Sequence, residues 1–432
     1  MSRFQIIFTT ILVFLGVGGA ILFAVSKNHS TSQGAVHLTL WGALPSGQVT
    51  SFLSELNQQT GNAVNVSYVE KNAVSMETEL VSALARGQGP DLILLPQDLV
   101  VPQSDKFYVM PFENYSERTF RDSFVQEGEL FLTPSGVMGL PFSLDPVVMY
   151  WNRTLLTDAG IAKPPVSWVE FYALAPKLVK KDANGNIVQS LVAFGETRNV
   201  THADDMLSLL ALQAGTPVVW RNQGAFQSAL TARIGSFAPA EEALSFFTEF
   251  SNPVKTSYSW NRSLPNDRAL FVGGKLAVYF GYASEAGQIR AANPNLDFDV
   301  ALVPQTDAQS GGRTLTFGRI NAVALLKSSP NLASAFQAAV TMTNAQAQSA
   351  WIAVSGLPPV RRDMLVQIPG DALKAISYKS ALIAQGWLEP GPQASAGLFQ
   401  RMVDNVTSGR MRVSESVTQA SGELDTLLQS QI

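Results

Sequence analysis

The chain has 432 residues, of which 46% are hydrophobic and 15% charged, so it is long enough for two packed domains and too apolar to be disordered. Its 30 basic and 34 acidic side chains give a net charge of -4, without the basic excess typical of nucleic-acid binding, so no nucleic-acid partner is predicted. The chain has no cysteine, which excludes disulfides, thiolate metal sites and a lipid-modified N-terminal cysteine, and its three histidines are widely spaced. We therefore predict no metal and no cofactor.

The chain begins with a long apolar stretch. No charged side chain lies between Arg3 and Lys27, and residues 4–26 are long enough, at about 1.5 Å per residue, to cross a hydrocarbon core of about 30 Å. Small residues before Lys27 resemble a cleavage site, so residues 1–27 are a membrane anchor or a signal segment; the length of the apolar run favours an uncleaved transmembrane helix. Residues 28–35 are predicted to be a polar linker, and the soluble part of the chain is expected on the outer face of the cytoplasmic membrane.

Strand and helix patterns alternate in the next sixty residues. The predicted strands are 36–41, 63–69 and 91–95, and the predicted helices are 46–60 and 75–86. The order βαβαβ favours a parallel sheet with helices on its faces, and therefore an α/β fold. Ligands of such sheets sit beyond the carboxyl ends of the strands, which draws attention to the loop after Trp41 and to Asp98.

Residues 139–152 are predicted to cross from one lobe to another. Pro141 and Pro146 hold the residues before them extended, and a continuous apolar run follows the second proline. The extended segments 298–304 and 314–326 predict the return crossing. Two lobes joined in this way by hinge strands can close around a ligand.

The second lobe is predicted to be mixed α/β as well. Its predicted helices are 167–180, 204–214, 241–250 and 266–273, with a hairpin turn at 182–186 and a strand at 274–282. The first lobe is expected to comprise residues 36–144 and 313–343, and the second lobe residues 145–312 and 344–432.

Ordered motifs over residues 36–430 resemble the extracellular solute-binding proteins of the sugar-binding family that serves ABC importers, the maltodextrin-binding proteins among them. The motifs are Leu38-Thr39-Leu40-Trp41-Gly42, Thr60-Gly61, Ala85-Arg86-Gly87-Gln88-Gly89-Pro90-Asp91-Leu92, Gly139-Leu140-Pro141, Tyr150-Trp151-Asn152-Arg153, Ala159-Gly160, Pro164-Pro165-Val166-Ser167-Trp168 and the run from Leu270 to Val278. The resemblance implies a two-lobe periplasmic-binding-protein-like fold of type II. It also implies a monomer that delivers a mono- or oligosaccharide to the membrane subunits of an ABC importer.

Three tryptophans in predicted loops or element ends are candidates for ligand contact. An aromatic face packs well against the C–H face of a sugar, and Trp41, Trp260 and Trp387 have polar or turn-forming neighbours. The alternative for each is a place in the core.

Four further residues complete the predicted ligand site. The resemblance places Asp98 and Asp145 at acidic ligand-binding positions and Tyr282 at an aromatic stacking position, and Ser143 lies beside Asp145 in the crossing. Carboxylates can accept strong hydrogen bonds from sugar hydroxyls; helix or turn capping is the alternative. Leu95 stands where a maltodextrin binder has an aromatic residue, which argues against maltodextrin itself.

The sequence therefore predicts a membrane-anchored binding protein without catalytic residues. An extracellular carbohydrate-active enzyme, with Asp98 and Asp145 as an acid/base pair, is one alternative. A ligand-binding sensor for a non-sugar solute is another.

Overall fold

The computed structural model describes residues 36–59, 64–222, 225–306 and 313–430. The apolar N-terminal stretch, predicted to be a membrane anchor, lies outside these residues. Within the described ranges no helix has both the length and the apolar character needed to cross a membrane.

Strands and helices alternate along most of the described chain. The strands are β1 (Val36–Gly42), β2 (Val64–Glu70), β3 (Leu92–Pro96), β4 (Phe107–Tyr108), β5 (Met110–Pro111), β6 (Leu132–Thr133), β7 (Gly136–Val137), β8 (Gly139–Asn152), β9 (Lys180–Lys181), β10 (Ile187–Val192), β11 (Val219–Asn222), β12 (Ala225–Ser228), β13 (Leu276–Tyr282), β14 (Phe298–Ala301) and β15 (Gly318–Leu326). The α-helices are α1 (Ser46–Gln59), α2 (Met76–Ala85), α3 (Glu117–Ser123), α4 (Arg153–Asp158), α5 (Glu170–Leu178), α6 (Ala203–Ala214), α7 (Pro239–Glu249), α8 (Asp267–Val272), α9 (Ala286–Ala292), α10 (Leu332–Met342), α11 (Ala345–Ser355), α12 (Arg362–Leu365), α13 (Ala372–Leu382), α14 (Pro392–Thr407) and α15 (Val413–Gln429).

One sheet runs through both lobes, in the order β2-β1-β3-β15-β8-β13-β10-β9. β1 pairs in parallel with β2 and β3, which confirms the predicted βαβαβ unit. β15 is antiparallel to both β3 and β8 and so closes the first lobe.

The strand β8 is the predicted crossing, and it begins and ends at the predicted residues, 139 and 152. Its first half, up to Pro146, pairs with β15. From Val147 onward it pairs with β13 and β14 of the second lobe. The two halves of one strand therefore belong to two lobes, and Pro146, which has no N–H to donate, lies at the change of partner.

Each lobe has an apolar core on its side of the crossing. In the first lobe Phe52 of α1 contacts Phe142 of β8, with ring centres 5.3 Å apart. In the second lobe Trp168 packs on Phe171 and Phe280, at 5.6 Å and 5.4 Å. These rings fill the space between the helices and the sheet, which is where most of the burial free energy arises.

The helix α11 differs from its expected place in the second lobe. Trp351 of α11 is fully buried against Phe52 and Phe142 of the first lobe, with ring centres 6.0 Å and 4.8 Å away. Gln348 donates to the Phe142 carbonyl at 2.9 Å. The helices α14 and α15, by contrast, pack against α6 and α7 of the second lobe.

Candidate functional site in the cleft between the lobes

A cleft of about 400 Å³ lies where the carboxyl ends of β1 and β3 face the strand β15 and the start of α6. Its polar lining residues are Glu77, Gln97, Asp98, Asp204, Asp205, Arg319, Asn321, Glu389 and Gln393. Residues of both lobes thus share one cavity. This is the position that the topology of a parallel α/β sheet favours for a ligand.

Arg319 of β15 is the central cation of this region. Its Nη2 atom lies 3.0 Å from Oδ2 of Asp205, at the start of α6. Its guanidinium carbon lies 4.4 Å from the centre of the Tyr282 ring, a cation–π contact. Arg319 therefore ties β15 of the first lobe to two elements of the second lobe.

Arg319 was not among the residues predicted from the sequence, although the sequence contains a signal for it. Arg319 and Asn321 are two polar residues at alternate positions in an otherwise apolar strand. Alternate residues of a strand point to the same face, so the pattern marks a polar face inside an apolar segment. In the structure that face lines the cleft.

Three carboxyl groups of the cleft have raised pKa values. Burial raises the pKa of Asp98 to about 6, and burial together with the nearby charge of Asp205 raises that of Asp204 to about 6. Burial and then repulsion by Asp98 raise the pKa of Glu389 well above its ordinary value. The cleft therefore holds carboxyl groups that have too little positive charge around them.

Close behind Arg319, a second group of ionisable residues is fully paired. The two ring nitrogens of His202 lie 3.2 Å from Asp205 Oδ2 and 2.7 Å from Glu285 Oε1. Glu285 also accepts from the Tyr279 hydroxyl at 2.6 Å. Burial disfavours the imidazolium, but the hydrogen bonds to the two carboxylates outweigh burial and raise the pKa of His202 to about 9.

Of the predicted site residues, Asp98 lines the cleft, and Ser143, Asp145 and Tyr282 lie at the hinge beside it. The Ser143 hydroxyl accepts from Asn321 Nδ2 at 3.3 Å. Asp145 is opposite Arg319 in the sheet register, and its Oδ1 accepts from the Ser284 N–H at 3.1 Å. Burial raises the pKa of Asp145 to about 6, although its hydrogen bonds with Ser284 oppose the rise.

The three predicted tryptophans lie away from the cleft lining. Trp41 packs under the Lys71 ammonium, 3.8 Å from its ring centre, in a separate shallow depression. Trp260 is fully buried in the second lobe. Trp387 is buried and its indole N–H donates to Ser208 at 3.0 Å. Phe317 is the one aromatic residue among the described residues of the cleft wall.

The arrangement defines a class of protein. Two α/β lobes share crossing strands, and a ligand-sized cavity lies between them with polar groups from both sides. This is the architecture of a two-lobe solute-binding protein, in which hinge motion opens and closes the cleft.

The sequence supports the same conclusion, because residues 52–375, more than half of the chain, match the family of bacterial extracellular solute-binding proteins. The chain belongs to this family, whose members are extracytoplasmic and are binding proteins rather than enzymes. A putative binding protein of Brucella abortus (strain 2308) is 24% identical over 319 residues, which are 69% of this chain and 73% of the relative.

Solved structures of similar fold belong to binding proteins as well. The cyclic α-maltosyl-1,6-maltose binding protein of Arthrobacter globiformis is 15% identical with a TM-score of 0.75, over 92% of this chain and 100% of that one. An ABC transporter solute-binding protein of Thermotoga lettingae, bound with α-D-tagatose, is 21% identical with a TM-score of 0.68, over 91% of this chain and 99% of that one. At these identities the likeness shows the fold.

Proposed function

We propose that this chain captures a carbohydrate in the cleft between its lobes and delivers it to the membrane subunits of an ABC importer. The observation that carries the proposal is the cleft itself, whose wall combines side chains from the first lobe and the second lobe. Two proteins of similar fold, a cyclic α-maltosyl-1,6-maltose binding protein and a solute-binding protein bound with α-D-tagatose, support a sugar.

The hinge provides the means of capture. Closing the cleft brings the start of α6, with Asp204 and Asp205, toward Asp98 on the opposite wall. A bound sugar then offers hydroxyl groups to carboxyl oxygens on both sides, and charge-assisted hydrogen bonds of this kind are about twice as strong as neutral ones. The ligand therefore stabilises the closed form that an importer would accept.

We further propose that residues 4–26 hold the protein at the outer face of the cytoplasmic membrane as a monomer. The support is the uninterrupted apolar sequence between Arg3 and Lys27. Fractionation of cells that express the full chain tests this: the intact N-terminus should stay with the membrane after a high-salt wash. Release of a shortened chain into the medium would show a cleaved signal peptide instead.

The carbohydrate proposal is tested with the purified full chain in detergent. A panel of mono- and oligosaccharides is screened for ligand-dependent rises in melting temperature, hits are titrated by calorimetry, and the sugars are recovered and analysed. We expect saturable binding of at least one sugar and unchanged sugar after incubation. Turnover of the bound sugar would support the enzyme alternative and contradict a pure binding function.

A further inference from the structure

The cleft wall carries a strong excess of acidic side chains. Its ionisable side chains in the described part of the chain are Glu77, Asp98, Asp204, Asp205 and Glu389 on the acidic side, and Arg319 alone on the basic side. Two long helices, α6 and α14, begin at the cleft, but the positive end of a helix dipole amounts to only about half a charge. The excess is therefore not balanced by the protein.

The single cation is already occupied. Arg319 is 3.0 Å from Asp205, and Asp205 also contacts His202. The pKa of Asp205, although burial raises it, is held below its ordinary value by the charges of Arg319 and His202. Arg319 thus makes its direct ion pair with Asp205, and its charge also acts on Asp98 and Asp204 without offsetting their burial. No ion pair of Asp98, Asp204 or Glu389 is found among the described residues.

Asp98 provides a second, independent observation. Its Oδ1 atom is shielded from solvent and has no hydrogen-bond partner within the described chain. The residue lines the cleft, at the carboxyl end of β3, opposite the start of α6. An unpaired carboxyl oxygen in such a place is unfavourable unless a donor occupies the cleft at some stage.

The composition of the wall also distinguishes it from a surface made for a neutral sugar. A neutral sugar ring gains contact energy from aromatic faces, yet Phe317 is the one aromatic side chain of the described cleft wall. Among the described residues no group of three or more metal-ligating side chains is placed to hold a metal ion. The excess negative charge thus fits an organic cation better than a metal.

We propose that the ligand of this cleft carries a protonated primary amine, as an amino sugar does, and that Asp98 with Asp204 receives it. This inference rests on the proposed function and names the chemical class of the captured solute. An ammonium group supplies three N–H donors and one positive charge, which match an unpaired acceptor and the uncompensated carboxyl groups. A cavity of about 400 Å³ accepts one or two sugar rings.

The test compares matched probes on the full chain by calorimetry at pH 7. They are glucosamine, glucose and N-acetylglucosamine, together with the β-1,4-linked glucosamine disaccharide, cellobiose and the N-acetylated disaccharide. We expect the amine of each series to bind about 10- to 100-fold more tightly than its hydroxyl and acetamide counterparts, the range typical of a hydrogen bond to a charged group.

The pH dependence of the amine affinity is a second test, because a ligand that is selected by shape alone would not show it. Asp98 faces Glu77 of α2, Asp205 of α6, Arg319 of β15 and Glu389, and its pKa of about 6 places its ionisation within the measured range. Binding of an amine requires the ionised carboxylate, so the advantage of the amine should shrink at least fivefold between pH 7 and pH 5. The affinity for a neutral sugar should fall less, because its hydroxyl groups can still bond to the protonated carboxyl group.

Variants locate the effect. Asp98→Asn should remove the preference for the amine by about tenfold or more, again from the strength of a charged hydrogen bond. The exposed control Asp122→Asn should leave it unchanged. A melting curve checks that each variant folds, and Asp204→Asn serves as the second variant on the opposite wall.

The outcomes separate the two proposals. Tighter binding of a neutral sugar or of glucuronate than of the matched amine overturns this inference and leaves carbohydrate capture standing. Binding of spermidine without any sugar supports the cationic ligand and contradicts carbohydrate capture. The absence of binding by every amine probe, including spermidine, overturns the inference.

Discussion

Two groups of ionisable side chains lie on either side of Arg319, and they differ in how completely their charges are paired. Behind Arg319, His202 is held between Asp205 and Glu285 by contacts of 3.2 Å and 2.7 Å. In front of it, Asp98 has an oxygen with no partner in the described chain, and its pKa is raised by burial to about 6. Both groups lie close to Arg319 and are largely shielded from solvent. Their location alone therefore does not explain why one group is paired and the other is not.

The difference shows how a structural network is distinguished from a binding site. A buried network that supports the fold needs a partner for every charge, because an unpaired buried charge is strongly destabilising. A binding site instead leaves groups unpaired in the free protein, and the ligand supplies the partners. The paired group should therefore control stability, and the unpaired group should control affinity.

The largest effect is expected on breaking the paired group. His202→Ala leaves Asp205 and Glu285 without their shared donor, so we expect the free energy of unfolding to fall by about 3–5 kcal/mol. Denaturant unfolding measures the loss, with the exposed His37→Ala as the matched control. A loss no larger than that of the control would contradict a structural role for the network.

The same histidine predicts a pH dependence. The pKa of His202 is raised in the folded state to about 9 from an ordinary 6.5, so its stabilising contribution is fully present below pH 6.5 and is lost as the pH rises through 9. The difference in unfolding free energy between the wild type and His202→Ala should therefore shrink above pH 9. If the unfolding free energies of the two proteins changed in parallel from pH 6 to pH 9.5, the predicted contribution of His202 would be contradicted.

A buried carboxyl group outside both groups of side chains, that of Glu127, predicts a second pH dependence of stability. Glu127 lies beside Gly318 at the start of β15, and neither of its oxygens has a partner among the described residues. Burial raises its pKa to about 8. The folded state keeps the proton while the unfolded chain loses it near pH 4.5, so stability falls as the pH rises from 4.5 through 8, by about 3 kcal/mol between pH 5 and pH 8.

Glu127→Gln removes this fall and should be more stable than the wild type at pH 8. Melting curves at pH 5 and pH 8 measure it, with the exposed Glu113→Gln as control. An equal fall in the wild type and in Glu127→Gln would show that other groups cause it.

On the unpaired side, stability and affinity should change in opposite directions. Asp98→Asn removes a carboxyl whose folded-state pKa is raised, so above pH 6 the variant should gain about 1 kcal/mol of stability while it loses the ligand. Unfolding and calorimetry on the same preparation measure both, with Asp122→Asn alongside. A loss of stability together with affinity would make Asp98 a structural residue.

The smallest effect is expected at Trp41. Its ring contacts Lys71 at 3.8 Å, outside the cleft wall, so Trp41→Ala should cost about 1 kcal/mol of stability through the lost cation–π contact. The affinity for a confirmed ligand should stay within twofold of the wild type. A tenfold loss of affinity would restore Trp41 to the ligand site.

Local sequence patterns were sufficient for the first five elements of the first lobe and for the crossing. Proline restriction and apolar runs fixed β8 at residues 139–152, and period-2 and period-3.6 spacing identified the βαβαβ unit of the first lobe. The Asn-Gly turn before β10 is likewise found, with Gly185 at φ 83°. These features depend on residues that are close together in the chain, and local sequence patterns can predict such features.

The residues of the ligand site were harder to predict from the sequence than the strands and helices. Trp260 and Trp387 have polar neighbours in the chain, yet the fold surrounds both with apolar residues and gives each indole N–H a partner. Likewise α11 was assigned to the wrong side, because nothing in its own sequence specifies which apolar surface its Trp351 meets.

By itself the sequence determined the two-lobe α/β architecture, the crossing and the candidacy of Asp98. The tertiary structure alone decided that Arg319, Asp204 and Glu389 meet Asp98 in one cavity, since they come from segments more than a hundred residues apart or from opposite lobes. The charge balance of the cleft is set by which of these side chains the fold brings together. It depends on burial and on distances between elements, which no local pattern contains.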